Sequence, residues 1–503
     1  MNTFGRKTIY ANYTESELLK GTQEQRDAKV LDIVINSISQ HEKNSAESIY
    51  LINYLYGEQD IKDKKKLTRT DINHTGVENW AYAFQDWKKA FLLGKPIQYA
   101  PLDDKANNEI TSLNKYNVFE DKDQKDQDLY EDVFTVGRAF RFNKPSKITE
   151  DDETPYNIVN LDVEDAEVVY SSSIDHEQLL SYIKTSKVFI PSDDTKQEQK
   201  RNYDEYTVYT RDMQYVINNK SGNYKIIKRN PLILKIHLIT EYYLNKYRVS
   251  LLELVKDILN DLNTVENLDL DDIESFVNAI MVFTNAEVTK EGMDKIKEFG
   301  AVSIKSTDQK KASVELLQSR LKSLDTQIYY LRKLQALHSI LSVPMASNNG
   351  DITNAETGKG MLVGQGFTSA SVRVENEEKA FKKCDRNALK VILKICKNSS
   401  GSKIKNLKVS DIDIKFSRDL SDNLLTKTTA LLNLTTAQIP PEIRNAIVGL
   451  FSDPVAVTKL QEQFLKEQRE IQNEINKRNN NENNINENNN KIEDSQQIQN
   501  QGQ

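Results

Sequence analysis

The residues of this chain that most resemble a chemical site are Gly358, Lys359 and Gly360, which could belong to a loop that binds nucleotide phosphates. Such a loop has an earlier glycine, and a Ser or Thr after the lysine supplies the hydroxyl that binds Mg²⁺. Here Thr353 stands at the position of the earlier glycine, and Gly360 follows the lysine. The loop lacks the magnesium ligand, and we do not expect it to bind a nucleotide.

The histidines and cysteines show no spacing that is typical of a metal site or a nucleophile. The five histidines are scattered along the chain, at His41, His74, His176, His237 and His338. No Gly-x-Ser-x-Gly or His-Glu-x-x-His motif occurs. Cys384 and Cys396 lie on one predicted helix with about 18 Å of rise between them, too far apart for a disulfide. We expect both to be buried as small hydrophobic side chains.

Carboxylates are abundant, since 75 Asp and Glu residues stand against 68 Lys and Arg residues, for a net charge of −7. In so acidic a chain, close carboxylate pairs arise by chance and do not indicate acid-base or metal chemistry. We therefore predict that the chain is not an enzyme and uses no metal or cofactor. The net charge also argues against wrapping nucleic acid on an open basic surface, but it suits a wall past which DNA slides.

The length of 503 residues allows about three or four domains. The mean hydropathy is −0.64, and no stretch approaches the roughly 18 to 20 apolar residues that a membrane span needs. The N-terminal residues lack the apolar run of a signal peptide. We expect a protein that is made and kept in a cytoplasm and does not enter a membrane.

The first half of the chain is predicted to contain helices followed by a sheet. Apolar spacing predicts two helices, at 27–40 and about 49–55, and a later helix that ends at Gly94. From 130 to 227, runs rich in Tyr and Val predict strands, the first of them at 133–140. Segments 171–175 and 218–223 have the composition of turns between strands.

Two long amphipathic helices are predicted in the second half. Residues 250–277 contain no Gly or Pro and would form a helix of about 40 Å with an acidic outer face. Helical spacing resumes at 313–341, and a strand, a short helix and a strand are predicted between the two, at 280–283, 290–299 and 301–304. Helices this exposed cannot bury both faces within one subunit, so we expect lateral contacts between copies that close into a ring.

A loop at 343–351 has turn and loop residues at nearly every position and leads to another charged helix. From Pro344 the order is P-x-x-x-x-x-G-x-x-T-x-x-E-T-G, followed by EEKAFKK and L-K-x-x-L-x-I. This order resembles the tunnel loop and tunnel helix of bacteriophage portal proteins. The strings YGEQDI at 56–61, GKPIQY at 94–99 and RVSLLELVKDILNDLN at 248–263 are similar to other portal segments.

The resemblance implies an α+β portal fold with an α/β wing, a two-helix stem, a small αβ clip, a tunnel loop and helix, and a helical crown. It divides the chain into an N-terminal arm (1–28), the wing (29–248), stem helix 1 (249–278), the clip (279–310), stem helix 2 (311–343), the tunnel loop (344–353), the tunnel helix with a strand at 409–416 returning to the wing (354–420), and the crown helices (421–477). The Asn- and Gln-rich residues 478–503 are predicted to be a disordered tail.

The resemblance also implies which residues meet DNA and protein partners. The tunnel loop facing DNA would consist of Ala346, Ser347, Asn348, Asn349, Gly350, Asp351 and Ile352. The clip surface facing the terminase and the head-completion adaptor would consist of Glu287, Lys290, Glu291, Asp294, Lys295 and Glu298. The acidic stem, which would keep DNA phosphates mobile, would consist of Glu253, Asp257, Asp261, Glu266 and Asp269.

The implied function is that of a ring of roughly a dozen copies at one vertex of a phage capsid, assembled in the host cytoplasm. Double-stranded DNA would pass through it during packaging and ejection. Its partners would be the terminase large subunit, the head-completion adaptor, and the major capsid and scaffold proteins. Two alternatives stay open: another self-assembling virion scaffold that binds no DNA, and a DNA-processing enzyme, against which the missing phosphate loop and metal motifs argue.

Overall fold

The structure, a computed structural model, describes residues 4–66, 70–102, 106–149, 153–189, 201–220, 222–277, 280–284, 313–317, 323–345, 367–417, 424–448, 457–458 and 460–473. The chain divides into one compact unit of residues 1–354 and 359–418 and a second of 355–358 and 419–503. The described residues mix helices and strands, which confirms the predicted α+β class.

The helices are α1 (Glu15–Leu19), α2 (Gln23–Leu55), α3 (Trp80–Leu93), α4 (Asn107–Phe119), α5 (Lys122–Val136), α6 (Leu251–Val277), α7 (Ser323–Leu341), α8 (Phe367–Asn398), α9 (Leu424–Thr436) and α10 (Pro441–Val448). Residues 457–458 and 460–473 are also helical. The strands are β1 (Ile9–Ala11), β2 (Gln98–Pro101), β3 (Arg138–Pro145), β4 (Tyr156–Leu161), β5 (Ala166–Ser171), β6 (Gln178–Phe189), β7 (Arg201–Thr210), β8 (Met213–Asn218), β9 (Lys225–Pro231), β10 (Ile239–Tyr243), β11 (Ile280–Thr284), β12 (Ser313–Leu317) and β13 (Ile412–Lys415).

A six-stranded sheet in the order β1-β5-β6-β7-β8-β9 forms one layer of the first unit. The predicted turns at 171–175 and 218–223 are confirmed, because they join β5 to β6 and β8 to β9. Helix α2 covers this sheet with buried Val30, Ile33 and Val34. A second sheet in the order β10-β3-β4 lies in the larger core together with α5 and α8.

The prediction of two helices at 27–40 and 49–55 is wrong, because α2 runs without interruption from Gln23 to Leu55. A capping box at Thr22 begins it. The apolar spacing lapses in the middle because the buried face there carries polar side chains at Ser37, His41, Asn44 and Ser48. These positions continue the helical spacing, but no pattern restricted to apolar residues detects them.

The predicted strand at 133–140 is wrong in its first half, where residues 133–136 form the last turn of α5. Val133, Phe134 and Val136 are fully buried in the core that α5 shares with the sheet. Gly137, at φ +90°, ends the helix, and β3 begins directly after it. Residues 133–136 favour strands, but Gly137 adopts the left-handed conformation that ends many helices. The residues before it therefore belong to α5 and those after it to β3.

The predicted helix at 313–341 is wrong at its start, where residues 313–317 form β12. This strand pairs antiparallel with β11, with Ile280 opposite Leu317 and Thr284 opposite Ser313. The helix α7 begins only at Ser323. Val314 and Leu317 satisfy a helical spacing by themselves, but a partner strand was available to pair with them.

Other predictions for the first unit agree with the structure. Helix α3 ends at Leu93 with Gly94 as its cap, and the long helix predicted at 250–277 is confirmed as α6. Cys384 and Cys396 are both buried on α8, as expected, and burial raises the pKa of the Cys384 thiol to about 11. The predicted strand near 409–416 is β13, although it pairs with β2 alone in a two-stranded sheet.

The second unit contains α9, α10 and the helical residues 457–473, apart from 459. The helices predicted at 426–434, at 441–451 and through Val457 and Leu460 are confirmed within the described ranges. Buried Asn445 joins two of them by donating a hydrogen bond to Thr458 Oγ1 at 3.1 Å. The predicted cap at 453–454 lies outside the described residues.

Candidate functional site along the acidic helix

Helix α6 carries the five acidic-stem residues, which are the predicted site residues that the structure describes, and it is amphipathic. Leu252, Val255, Leu259 and Leu262 are buried along one side. Helix α7 packs against α6, burying Leu334, Leu337 and Leu341. The two helices therefore form one layer whose remaining sides carry the charged residues.

A capping box begins α6, and its glutamate also contacts the N-terminal segment of the chain. Ser250 N donates to Glu253 Oε2 at 2.8 Å, while Glu253 N donates to Ser250 Oγ at 2.9 Å. The other Glu253 oxygen accepts hydrogen bonds from Gly5 N, at 3.1 Å, and from the buried Arg6 guanidinium. Glu253 thus joins the N-terminal segment to the first turn of the helix.

The chain enters α6 through a closely packed junction. Arg248, at φ +52°, forms a bidentate ion pair with Glu241 of β10, at 3.0 and 2.8 Å. The carbonyl oxygen of Arg248 lies against Gly137, where a Cβ atom would come within 2.1 Å of it. The contacts of Arg248 with Glu241 and Gly137 therefore fix the direction in which α6 leaves the sheets.

Three polar residues at four-residue steps on α6 hold the segment between α2 and α3. Asn263 Oδ1 accepts from Glu78 N at 2.9 Å. Asn267 accepts from Gly76 N at 2.6 Å and donates to Gly76 O at 2.7 Å. The side-chain amides of Asn263 and Asn267 thus satisfy backbone groups of Gly76 and Glu78, as a neighbouring strand would in a sheet. The apolar and acidic patterns of the sequence did not single out Asn263 and Asn267, although their four-residue spacing on one helix face was a usable signal.

Asp271 completes this row and is almost fully buried. It accepts from His74 N at 2.7 Å and pairs with Lys64 and Lys66 at 2.7 and 2.8 Å. Burial disfavours its charge, but the amide of His74 and the two lysines outweigh that effect and lower the pKa of Asp271 below its ordinary value. Asp271 of the acidic helix thereby offsets part of the positive charge of the basic segment at 62–66.

The five carboxylates assigned to the acidic stem lie in different surroundings. Glu253 caps the helix, and Asp261 pairs with Lys333 of α7 at 2.6 Å. Asp257 and Glu266 are exposed, and Asp269 is half-buried. Burial and then neighbouring carboxylates raise the pKa of Glu266 and of Asp269 above the ordinary value. Three of the five therefore present negative charge to solvent in the single chain.

Large apolar side chains are exposed on the same two helices, each by 39% to 62%: Leu254, Leu268, Leu270 and Ile273 on α6, and Ile328, Tyr329 and Leu331 on α7. Large apolar side chains that are exposed in a single chain can become buried where another chain packs against them. The layer of α6 and α7 is therefore suited to packing against another protein surface.

The other predicted site residues lie outside the described ranges. They are the loop residues Ala346, Ser347, Asn348, Asn349, Gly350, Asp351 and Ile352, and the clip residues Glu287, Lys290, Glu291, Asp294, Lys295 and Glu298. The start of the tunnel helix, expected near Thr353, also lies there, and α8 is described from Phe367 onward. Strand β11 lies at the start of the predicted clip segment 279–310, and its partner β12 follows the end of that segment.

Within the described ranges, no group of three or more His, Cys, Asp or Glu residues is arranged to hold a metal ion. Of the helices that the structure describes, none has the length and apolar character needed to cross a bilayer.

Comparison with known proteins gives one result that covers most of the chain. A family model described as "Phage portal protein, SPP1 Gp6-like" matches residues 35–481. No curated protein matches the chain. The matched range includes α6, α7 and the segments on either side of them.

Proposed function

Because this chain belongs to the SPP1 Gp6-like family of phage portal proteins, we propose that it forms the DNA channel at one vertex of a phage capsid. The family is structural and non-enzymatic, and its members form oligomeric rings that associate with the capsid. In this proposal a ring of roughly a dozen copies passes double-stranded DNA during packaging and ejection.

The exposed apolar residues of α6 and α7 support a ring in which these helices are covered by neighbouring copies. Burying apolar surface contributes about 25 cal/mol for each Å² removed from water. Head-to-tail contacts that repeat with a fixed rotation close into a ring. We assign α6 and α7 to the stem, and the segment between them, bordered by β11 and β12, to the clip.

The acidic face of α6 supports a channel wall that does not hold DNA. Asp257 and Glu266 are exposed, and the whole chain carries a net charge of −7. Like charges keep phosphates away from the wall over about 8 to 10 Å at physiological salt. In the proposed ring this repulsion lets DNA slide, while the tunnel loop at 346–352 makes the closer contacts.

The protein contacts proposed for the ring follow the same assignment. The clip residues Glu287, Lys290, Glu291, Asp294, Lys295 and Glu298 would meet the terminase large subunit during packaging and the head-completion adaptor afterwards. The wing would meet the major capsid and scaffold proteins. In this arrangement ATP hydrolysis belongs to the terminase.

The observation that carries the proposal is the family match over residues 35–481. Native mass spectrometry and negative-stain imaging of the purified protein, alone and co-expressed with the capsid and scaffold proteins, test it. We expect closed rings of roughly a dozen chains with a central hole under at least one condition. Only monomers under both conditions, together with metal- or ATP-dependent activity on DNA, would overturn it.

Deleting residues 347–352 is expected to leave ring assembly intact and to block DNA packaging, because it removes the loop proposed to contact DNA. Packaging is measured as nuclease-protected DNA in particles produced with the deleted chain, and ring assembly as native mass. The matched control is a deletion of 479–484 in the Asn-rich tail, which should package normally. Normal packaging by the loop deletion would refute the role assigned to 346–352.

A further inference from the structure

Helix α8 carries a row of basic residues along its exposed side. Six exposed cations follow one another at steps of three or four residues, so they lie on one face of the helix. From 379 to 397 they cover about 27 Å of helix. The acidic residue within this range, Asp385, is buried on the opposite side. We call these six residues the basic row: Lys379, Lys383, Arg386, Lys390, Lys394 and Lys397.

The buried side of α8 fixes the direction in which the basic row faces. Asp385 accepts hydrogen bonds from Tyr99 Oη at 2.6 Å and from Tyr242 Oη at 3.0 Å. Two turns earlier, Glu377 accepts from Tyr130 Oη at 2.7 Å. Because these contacts anchor α8 at two points, the helix is held against rotation and the basic row faces away from the core.

No carboxylate of the same chain accompanies the basic row. Among the ion pairs of the described residues, none includes a member of the row. The row has neutral partners instead: Lys390 donates to Asn387 Oδ1 at 3.0 Å, and Lys383 to Tyr243 Oη at 3.5 Å. The positive charge of this face is therefore presented to solvent undiminished.

The stability of the helix does not explain the basic row. Like charges three or four residues apart on a helix repel and destabilise it. The helix dipole favours cations in the last turn, at Lys394 and Lys397, but not at the other four positions. The outer side of α2, by comparison, mixes the two signs at Glu24, Asp32, Glu42 and Lys43. The unmixed charge of the basic row thus favours a binding role over a structural one.

The composition of this face favours a polyanion over a protein as the partner. Protein interfaces are rich in aromatic residues, Met and Arg, and poor in Lys, whereas five of the six residues in the basic row are lysines. Among the described residues of α8, the exposed large apolar side chain is Val372, which precedes the row. A face of lysines without apolar neighbours matches a surface of phosphates.

The acidic helix of a second copy is a poor match for the basic row. The exposed carboxylates of α6, Asp257 and Glu266, lie among exposed Leu254, Leu268 and Leu270. Packing lysines against that face would remove water from ammonium groups that meet apolar side chains, which is unfavourable. The apolar residues of α6 are suited to a protein contact, and the basic row to a different partner.

We propose that the basic row binds the phosphate backbone of double-stranded DNA, with α8 lying along the duplex. The duplex carries one negative charge for about every 1.7 Å of its axis, so a phosphate lies within reach of each flexible side chain. Lysines contact phosphates as point charges and read no bases. The contact is therefore independent of sequence and lets the duplex slide. The inference rests on the proposed function for the DNA, and it adds a second DNA-binding element to the tunnel loop at 346–352.

Acetylation by acetic anhydride, measured for each lysine by peptide mass spectrometry in empty and in DNA-filled particles, identifies the occupant. We expect the lysines of the basic row to react at least about tenfold more slowly in filled particles. Lys225 and Lys228, exposed on β9, should react equally in both and serve as internal controls. Equally fast reaction of the row in both particles would overturn the inference. Slow reaction already in empty particles would show that a protein covers the row, and would overturn it too.

The combined variant Lys379→Gln, Lys390→Gln and Lys394→Gln tests the contact in the full-length chain, because glutamine keeps the helix propensity of lysine. Fluorescence anisotropy with a duplex of about 30 base pairs should show binding weakened at least about tenfold. The slope of log K against log salt should fall by about one for each phosphate contact removed. Arginine at the same three positions should bind as the unaltered chain does.

The matched control is the combined variant Lys43→Gln, Lys225→Gln and Lys228→Gln, which makes the same change in net charge at exposed lysines elsewhere. Equal weakening by both glutamine variants would contradict a specific role of the basic row. Nuclease-protected DNA in particles should fall for the basic-row variant alone. Normal packaging by that variant would overturn the inference and leave the proposed function standing. Failure of the unaltered chain to support packaging would contradict the proposed function, and the inference with it.

Discussion

Replacing Gly137 by alanine is expected to destabilise the first unit by about 2–5 kcal/mol. Gly137 has φ +90°, and an added Cβ atom would lie 2.1 Å from the carbonyl oxygen of Arg248. That oxygen belongs to the backbone at the base of α6, so it cannot move aside as a flexible side chain would. The decrease in the urea midpoint of unfolding, followed by circular dichroism, measures the effect.

Gly222→Ala is the matched control, because Gly222 has φ +92° but nothing lies within 4 Å of its added Cβ atom. This variant should show only the cost of a left-handed residue, about 1–2 kcal/mol. The difference between the two variants isolates the packing of the α5–β3 corner against Arg248. If both lost the same stability, the close approach at the base of α6 would carry no energetic weight.

Replacing Arg138 by methionine is expected to cost about 3–5 kcal/mol, because it leaves a buried carboxylate without its partner. Arg138 and Glu167 are each about 2% exposed and form a bidentate pair, at 2.6 and 3.0 Å, between β3 and β5. Arg211→Met is the control, since Arg211 pairs with Glu15 at 2.9 Å but its side chain is 49% exposed. An exposed pair contributes at most about 1 kcal/mol, so equal losses would contradict the argument.

The same pair predicts how stability depends on pH. Burial opposes the charge of Glu167, but the charge and hydrogen bonds of Arg138, together with His41 at 3.5 Å, outweigh it and lower the pKa of Glu167 to about 2 from 4.5. The contribution of this carboxylate is therefore complete above about pH 4.5 and is lost as the pH falls toward 2. Urea midpoints measured across this range should fall less steeply for Arg138→Met than for the unaltered chain.

The elements that the sequence predicted well are those whose signals are local. The spacing of apolar residues over 250–277 is that of one amphipathic helix, and α6 has almost the same bounds. Glycine and asparagine between β8 and β9 indicated a hairpin turn, because these residues adopt the backbone angles of turns at little cost. Cys384 and Cys396 were expected to be buried because they lie too far apart on one helix for a disulfide, and a free cysteine packs as a small hydrophobe.

The elements that the sequence predicted wrongly depend on contacts between distant residues. Residues 133–136 favour strands intrinsically, but burial of Val133 and Phe134 in the core keeps them helical. Residues 313–317 have helical spacing, but β11 lies about thirty residues away and pairs with them. In both places tertiary packing outweighs local preferences, which amount to less than about 1 kcal/mol per residue.

The sequence by itself determined the α+β class, the long acidic helix, the absence of a phosphate-loop motif and the likeness to portal proteins. Tertiary structure alone decided which charges remain free. Glu253 is bound by Arg6, Asp261 by Lys333 and Asp271 by Lys64 and Lys66, whereas Asp257 and Glu266 face solvent. All five of these carboxylates lie on α6. Their difference comes from partners dozens to hundreds of residues away, which only folding brings within hydrogen-bond distance.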